Sequence, residues 1–271
     1  MTRIAVLQMT SGIDPLANAE TLTGAIGAAA MGGAEMIFTP EMSGLIDRDR
    51  ARGAANVVPE DRSPVLAAVR EAAAGAGIWA AIGSIPILRD DGLWANRTFV
   101  IDSNGAVAAR YDKIHMFDVD LDTGESWRES AAYAPGEQVV TVDCPVGRLG
   151  LTICYDLRFP ALFEALGRAH CDVIAIPAAF TRPTGAAHWH VLQRARAIEA
   201  SAFVVAAAQV GRHQDGRETY GHSLVVDPWG DVVLDMGGEE AGLAFVELDR
   251  ARIAQVRAQL PSLVNKRPIR Q

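Results

Sequence analysis

Short apolar runs alternate along the chain with longer stretches whose apolar positions recur every three to four residues. Ile4 to Met9 reads as a strand, and the alanine-rich Leu16 to Ala30 as a helix closed by Gly32-Gly33. Met36 to Pro40 is a second strand with Glu41 at its end. Pro64 opens a helix through Ala74 that Gly75 and Gly77 stop. Ile78 to Ile85 and Ala95 to Asp102 are further strands, and Ser103-Asn104-Gly105 turns the second of them back into Ala106 to Tyr111. A polar, glycine-containing loop then runs over roughly 113–136, a length that inside a compact domain goes with function or disorder.

The second half repeats this order. Leu149 to Ile153 is a strand and Pro160 opens a helix; Val173 to Pro177 is a strand, His188 to Ser201 a helix, and Phe203 to Val210 a strand. Ser223 to Asp227 and Val232 to Asp235 flank the turn Pro228-Trp229-Gly230. Gly242 to Glu247 adds a strand, and Arg250 to Leu260 a last helix before a basic tail over about 261–271. Three segments echo each other across the halves: Arg3–Leu7 with Arg148–Thr152, Glu35–Pro40 with Asp172–Pro177, and Thr98–Gly105 with Ser223–Gly230. Two related halves, each a mixed sheet with helices outside, would pack as a four-layer α-β-β-α sandwich, an α/β fold forming one domain over 1–271. Reuse of common strand and turn words by unrelated βα units is the competing explanation.

At 271 residues and 49% hydrophobic the chain can bury a large core, and a net charge of −8 argues against nucleic acid or an anionic membrane as partner. Three cysteines without a C-x-x-C pair make neither a disulfide framework nor a zinc knuckle. The first residues lack a signal-peptide layout and no apolar stretch approaches the ~18 residues of a membrane span, so a soluble cytoplasmic protein is expected.

Candidate chemistry gathers at strand ends. Cys154 stands where a buried strand turns toward a helix, a place that would expose its side chain and bring backbone N–H groups near it. A buried structural thiol is the plainer alternative. Glu41 stands at a strand end where its counterpart in the other half is Ala178, so the fold's pattern does not require a carboxylate there. A cysteine attacking an amide needs a proton acceptor and later a donor, which a glutamate can supply, and a lysine such as Lys113 can stabilise the oxyanion. Singly, Glu41 and Lys113 also read as a surface carboxylate and a solvated lysine.

Taken together, Pro40-Glu41-Met42, Arg110-Tyr-Asp-Lys113-Ile-His115 and Gly150-Leu-Thr-Ile-Cys154-Tyr-Asp156-Leu-Arg158-Phe-Pro160 resemble, in this order, the nitrilase superfamily of carbon–nitrogen hydrolases. The resemblance covers essentially the whole chain. It implies Cys154 as nucleophile, Glu41 as general base, Lys113 as oxyanion stabiliser, Glu129 as a further glutamate positioning substrate, and the Tyr155 N–H as second oxyanion donor. It implies neither metal nor cofactor, and a homodimer formed through the helices beside the cysteine. Within the superfamily, His115-Met-Phe-Asp118, Thr184-Gly185-Ala-Ala-His188-Trp189, Arg194-Ala-Arg196-Ala-Ile-Glu199 and Tyr220-Gly221-His222-Ser223 are similar to the Nit group of small amidases. Ala206-Ala-Ala-Gln209-Val-Gly-Arg212-His213 resembles the branch acting on deaminated glutathione more than the omega-amidases. His190 departs from relatives, which tend to carry Glu there. An omega-amidase acting on α-ketoglutaramate, another amidase or ureidase of the family, and a non-catalytic binding protein stay open.

A small amide bearing several carboxylates would engage arginine bidentately, which singles out Arg158 first, then Arg182 and Arg212. An ion pair rigidifying the site is the alternative for Arg158. Phe117, Phe180 and Thr181 complete the expected substrate contacts. No carboxylate or thiolate joins His188, His190, His213 and His222 at ligand spacing in the sequence, so no metal site is expected. Arg194, Arg196 and Glu199 read as a helical ion-pair group, and Cys144 and Cys171 as structural.

Overall fold

The computed structural model describes residues 1–122, 124 and 126–267. The first half comprises β1 (Thr2–Gln8), α1 (Pro15–Met31), β2 (Met36–Phe38), α2 (Arg50–Ala54), α3 (Pro64–Ala76), β3 (Trp79–Leu88), β4 (Trp94–Ile101) and β5 (Val107–Asp112). A small hairpin, β6 (Asp118–Asp120) and β7 (Ser126–Arg128), stands between the halves. The second half runs β8 (Thr141–Cys144), β9 (Gly147–Leu151), α4 (Pro160–Arg168), β10 (Val173–Ala175), α5 (Arg182–Ala200), β11 (Phe203–Ala206), β12 (Val210–Arg212), β13 (Glu218–Tyr220), β14 (Leu224–Val226) and β15 (Val232–Asp235). β16 (Gly242–Leu248), α6 (Arg250–Gln259) and α7 (Ser262–Asn265) complete the chain.

Two six-stranded sheets carry the fold, in the orders β16-β1-β2-β3-β4-β5 and β15-β14-β11-β10-β9-β8. In the first, β1, β2 and β3 are parallel and β4 and β5 return antiparallel. In the second, β9, β10 and β11 are parallel and β14 and β15 return antiparallel. The three echoing segments fall on equivalent strands: β1 with β9, β2 with β10, β4 with β14. Each sheet adds one antiparallel edge strand, β16 beside β1 and β8 beside β9.

Alternation along the strands fixes the layers. Ile4 and Val6 of β1, with Met36 and Phe38 of β2, share an apolar layer with Leu149, Leu151, Val173 and Ala175 on the inner face of the other sheet. Ala5, Leu7 and Ile37 face the opposite way, onto Leu22, Ile26 and Ala29 of α1 and Val65 and Val69 of α3. Leu162, Phe163 and Leu166 of α4, with Trp189 and Ala197 of α5, cover the outside of the second sheet. The result is the expected α-β-β-α sandwich. Local chemistry sets the helix ends: Asp14 and Ser63 accept the N–H groups of Leu16 and Leu66, prolines follow both caps, and Gly77 closes α3 at φ +68°.

Three expectations need correction. Helix α5 starts at Arg182, six residues before His188, because Pro183 sits in its first turn, where a missing N–H costs nothing. The 203–210 run is not one strand: β11 ends at Ala206, and Val210 opens β12, paired with β13 in a separate hairpin. Between them Gln209 leaves the ladder fully buried, bonding Ser11 and the Glu41 carbonyl. The 113–136 loop holds the β6–β7 hairpin, fastened by Arg128 on Asp120 at 2.6 Å. Thr141–Cys144, given no element from the sequence, is edge strand β8. Of the C-terminal tail, residues 262–265 form α7 and Lys266 pairs with Glu164 at 2.5 Å; the rest of that expectation, from residue 268, lies outside the described residues. Among the described residues no helix is long and apolar enough to cross a membrane.

Candidate active site

Glu41, Lys113 and Glu129 meet at the end of the first sheet. Glu41 leaves β2 immediately after Thr39-Pro40, and three bonds hold that exit: Gly83 N–H donates to Thr39 Oγ1 at 2.9 Å, Met42 N–H to Ser84 Oγ at 2.7 Å, and Gln209 Nε2 to the Glu41 carbonyl at 2.9 Å. Gly83 sits where β3 bulges, and a Cβ there would lie 2.0 Å from the Thr39 carbonyl oxygen, so only glycine lets the strands approach this closely.

The carboxylates grip Lys113 from two sides. Its Nζ donates to Glu41 Oε1 at 3.0 Å and to Glu129 Oε2 at 2.8 Å, with all three side chains buried or nearly so. Burial opposes the ammonium charge, but Glu129 and Glu41 outweigh it, and the Lys113 pKa stands well above its ordinary value. Asn96 Nδ2 donates to Glu41 Oε1 at 2.9 Å and to Glu129 Oε1 at 3.2 Å, bridging the two acids. Glu129 Oε2 also accepts the Phe117 N–H at 2.7 Å, and Glu41 Oε2 the Ala179 N–H at 2.9 Å.

Cys154 arrives from the second sheet. It occupies the left-handed region at φ +49° and opens a short 3-10 turn through Arg158. Its N–H donates to the Pro177 carbonyl at 2.8 Å. The side chain is 8% exposed, so the turn seats the thiol at the floor of a cavity instead of exposing it as expected. Burial pushes the thiol pKa well above 9, the Glu41 charge pushes the same way, and Lys113 only partly offsets them. Burial and the Glu41 charge thus favour a neutral thiol over the pre-formed thiolate that positive potential would stabilise. Next to it, the Tyr155 N–H donates to no acceptor among the described residues and is free for a ligand.

Asp156 locks the cysteine turn to the lysine segment. Fully buried, it accepts from Tyr111 Oη at 2.6 Å, the Ile153 N–H at 2.9 Å, and both the N–H and Nδ1 of His115 at 3.0 and 2.7 Å. Asp156 stands in the cysteine motif with no role evident from sequence, and Asn96 belongs to none of the motifs. A fully buried asparagine within the apolar strand β4 was the available signal for the latter.

Above the thiol lies a cavity of about 720 Å³ lined by every residue expected at the site: Glu41, Lys113, Glu129, Cys154, Tyr155, Phe117, Arg158, Phe180 and Thr181. The volume suits a small-molecule ligand. The Arg158 guanidinium lies 5.3 Å from the Phe180 ring centre and 5.8 Å from that of Tyr155, and touches His188 at 3.2 Å. Among the described residues Arg48, Arg50, Arg158 and Arg212 line the cavity without an ion-pair partner, whereas Arg182 pairs with Glu218 at 3.6 Å. Arg48 was not singled out from the sequence.

A family model for carbon-nitrogen hydrolases matches residues 3–258. The chain belongs to the carbon–nitrogen hydrolase family. This hydrolase is 40% identical over 267 residues to a deaminated glutathione amidase of Yersinia enterocolitica, covering 97% of this chain and 92% of the relative. It is 38% identical over 270 residues to the human deaminated glutathione amidase, covering 98% and 82%. Among solved structures it resembles the C. elegans NitFhit protein at TM-score 0.89 and 36% identity, covering 98% of this chain and 65% of that one. It also resembles an amidase from Nesterenkonia sp., solved after Michael addition of acrylamide at its active-site cysteine, at TM-score 0.81 and 27% identity over 96% and 98% of the two chains.

The remaining polar expectations divide. Arg196 pairs with Glu199 and its Nε holds the Leu157 carbonyl at 2.8 Å, so this pair steadies the cysteine turn, while Arg194 Nε binds the Gly230 carbonyl. Burial pushes Cys144 up to about 11 and Cys171 up to about 12, which keeps both as thiols. His213 is buried between the Ser11 carbonyl and Thr219. The expectation that no carboxylate joins the histidines fails: Asp235 meets both His190 and His222. Residues 45 positions apart in sequence but adjacent in space have no spacing signature.

Proposed function

We propose that this hydrolase is a thiol amidase that converts a small carboxylate-bearing amide to acid and ammonia, with deaminated glutathione as the substrate. The observation that carries the chemistry is the buried Glu41–Lys113–Glu129 cluster beside the Cys154 thiol. Glu41 takes the thiol proton as sulfur attacks the amide carbon, so charge develops only during the reaction. Lys113 and the free Tyr155 N–H stabilise the oxyanion, worth ~3 kcal/mol per donor in a dry site. Glu41 returns the proton to the departing nitrogen, and ammonia leaves a thioester on Cys154. Glu41 then takes a proton from water, whose oxygen attacks the thioester; acid is released and the thiol regains its proton. Glu129 holds Lys113 and Asn96 in place without touching the thiol.

The substrate reading is supported by the names of the relatives and by the unpaired Arg48, Arg158 and Arg212, which favour a ligand with more than one carboxylate. We extend the proposal to a homodimer formed across α5, supported by Val191 and Ile198, 62% and 42% exposed on that helix, beside a 42% exposed Trp229. Three free cysteines fit a reducing, cytoplasmic setting.

Ammonia release from deaminated glutathione, α-ketoglutaramate and a simple aliphatic amide, with Cys154→Ala as control, tests the reading. Preference for deaminated glutathione supports it, and preference for α-ketoglutaramate replaces the substrate while keeping the chemistry. Full activity in Cys154→Ala would sink the mechanism. Light scattering tests the dimer, which a monomer refutes.

A further inference from the structure

His190 of α5, His222 before β14 and Asp235 of β15 converge from three separate segments. His190 Nε2 lies 3.0 Å from Asp235 Oδ2, and His222 Nδ1 lies 2.9 Å from Asp235 Oδ1. The three donor atoms all fall within 4.8 Å of one another, and none of the residues lines the catalytic cavity. The site is held from behind. Asp235 Oδ1 accepts the Gly237 N–H at 2.9 Å, the His222 ring stacks on Tyr220 at 4.5 Å, and Trp189 Nε1 donates to the His222 carbonyl at 2.8 Å. Such outer contacts fix ring and carboxylate orientation, which a metal ligand set requires.

We propose that His190, His222 and Asp235 form a binding site for a divalent cation of the zinc class. Two imidazoles and one carboxylate are the donor set that zinc accepts at ~2.0–2.2 Å, leaving a fourth position for water. Cobalt and nickel accept the same nitrogen and oxygen donors, whereas calcium and magnesium call for oxygen alone. Binding needs each ring to carry its proton on the nitrogen facing away from Asp235, and a small opening of the two contacts to admit the ion. The carboxylate cancels one of the two positive charges. An ion there ties α5 to the β14–β15 hairpin. It would stiffen Trp189, adjacent to His190 in sequence, whose ring packs 4.8 Å from Phe180 on the cavity wall.

Calorimetric titration of zinc and cobalt into the full-length Cys154→Ala protein tests this, because that background removes the active-site thiol as a competing ligand. One equivalent should bind, with cobalt giving the intense visible bands of a four-coordinate site and either ion raising the melting temperature. His190→Ala and Asp235→Asn should each weaken binding by more than ~100-fold, beyond the loss usual for outer-shell changes, while the exposed His170→Asn leaves it intact. No stoichiometric binding, or unchanged binding in His190→Ala, overturns the proposal. His190 is half-exposed on a helix, so that variant decides the matter even if Asp235→Asn fails to fold. None of these readouts depends on amidase activity.

Discussion

His115 and Asp156 meet across 41 residues of sequence, with one carboxylate oxygen 2.7 Å from the ring Nδ1 and 3.0 Å from the backbone N–H. His115 lies two residues after Lys113, and Asp156 two after Cys154. The contact therefore sets the distance between the cation that would hold an oxyanion and the sulfur that would generate it. The Tyr111 hydroxyl, two residues before Lys113, donates to the other Asp156 oxygen at 2.6 Å and completes the brace.

Replacing Asp156 by Asn tests the brace. The amide keeps the shape, but its nitrogen cannot accept, so at least one buried donor loses its partner. Asp156→Asn should lose ~2–4 kcal/mol in urea unfolding and most of kcat, even in the fraction that remains folded. Near-normal kcat in folded Asp156→Asn would remove Asp156 from the positioning role.

Glu129 touches Lys113 and Asn96 but not the thiol. Glu129→Gln should therefore lower kcat by ~10²-fold or more, by loosening the oxyanion donor, without preventing Cys154 alkylation. A pure rise in KM would point to direct substrate binding instead.

The Cys154 thiol offers a pH test. Burial and the Glu41 charge raise its pKa, so the ultraviolet thiolate signal of the native enzyme should appear only well above pH 9. Glu41→Gln removes one raising influence and leaves Lys113, so the titration should move to lower pH while turnover is lost. In the native chain the unfolded thiol ionises near 9 while the folded one keeps its proton. Stability contributed by this group is thus intact below that pH and falls as pH rises through the folded pKa. An unshifted or upward-shifted titration in Glu41→Gln would contradict the charge arrangement.

What the sequence made legible was whatever repeats at short range. Apolar periodicity located the sheets and main helices, and the matched words Glu35–Pro40 and Asp172–Pro177 mark equivalent central strands, β2 and β10. Glu41, Lys113 and Cys154 stood out as chemical residue types at strand ends and in a loop, and the family likeness added Glu129. Asn96, the brace through Asp156 and the His190–His222–Asp235 meeting depend on long-range packing, which no local spacing encodes. The thiol's exposure was misread for the same reason: its strand-to-helix turn suggested an accessible side chain, but packing between the two sheets buries it.

Gly83 shows how the scaffold reaches the site. A Cβ there would stand 2.0 Å from the Thr39 carbonyl, 2.5 Å from that of Pro40 and 2.6 Å from the Pro177 Cβ. Backbone cannot yield as a flexible side chain can, so Gly83→Ala must shift the residue before Glu41. We expect ~1–3 kcal/mol of destabilisation and a kcat loss out of proportion to it. Unaltered kinetics would mean that Glu41 tolerates displacement.

Arg158 separates substrate recognition from chemistry. Its guanidinium rests on Phe180 and Tyr155 within the cavity and carries no carboxylate partner among the described residues. Arg158→Met keeps much of the apolar stem and removes the charge. If the guanidinium holds a substrate carboxylate, KM for an anionic amide should rise ~10-fold or more, the worth of one charge-assisted contact. An uncharged aliphatic amide should be turned over as before, since Glu41, Lys113 and Cys154 make no hydrogen bond to Arg158. Parallel losses on both substrates would mean instead that Arg158 stiffens the cysteine turn. Full rescue by Arg158→Lys would show that charge alone suffices, without the bidentate grip.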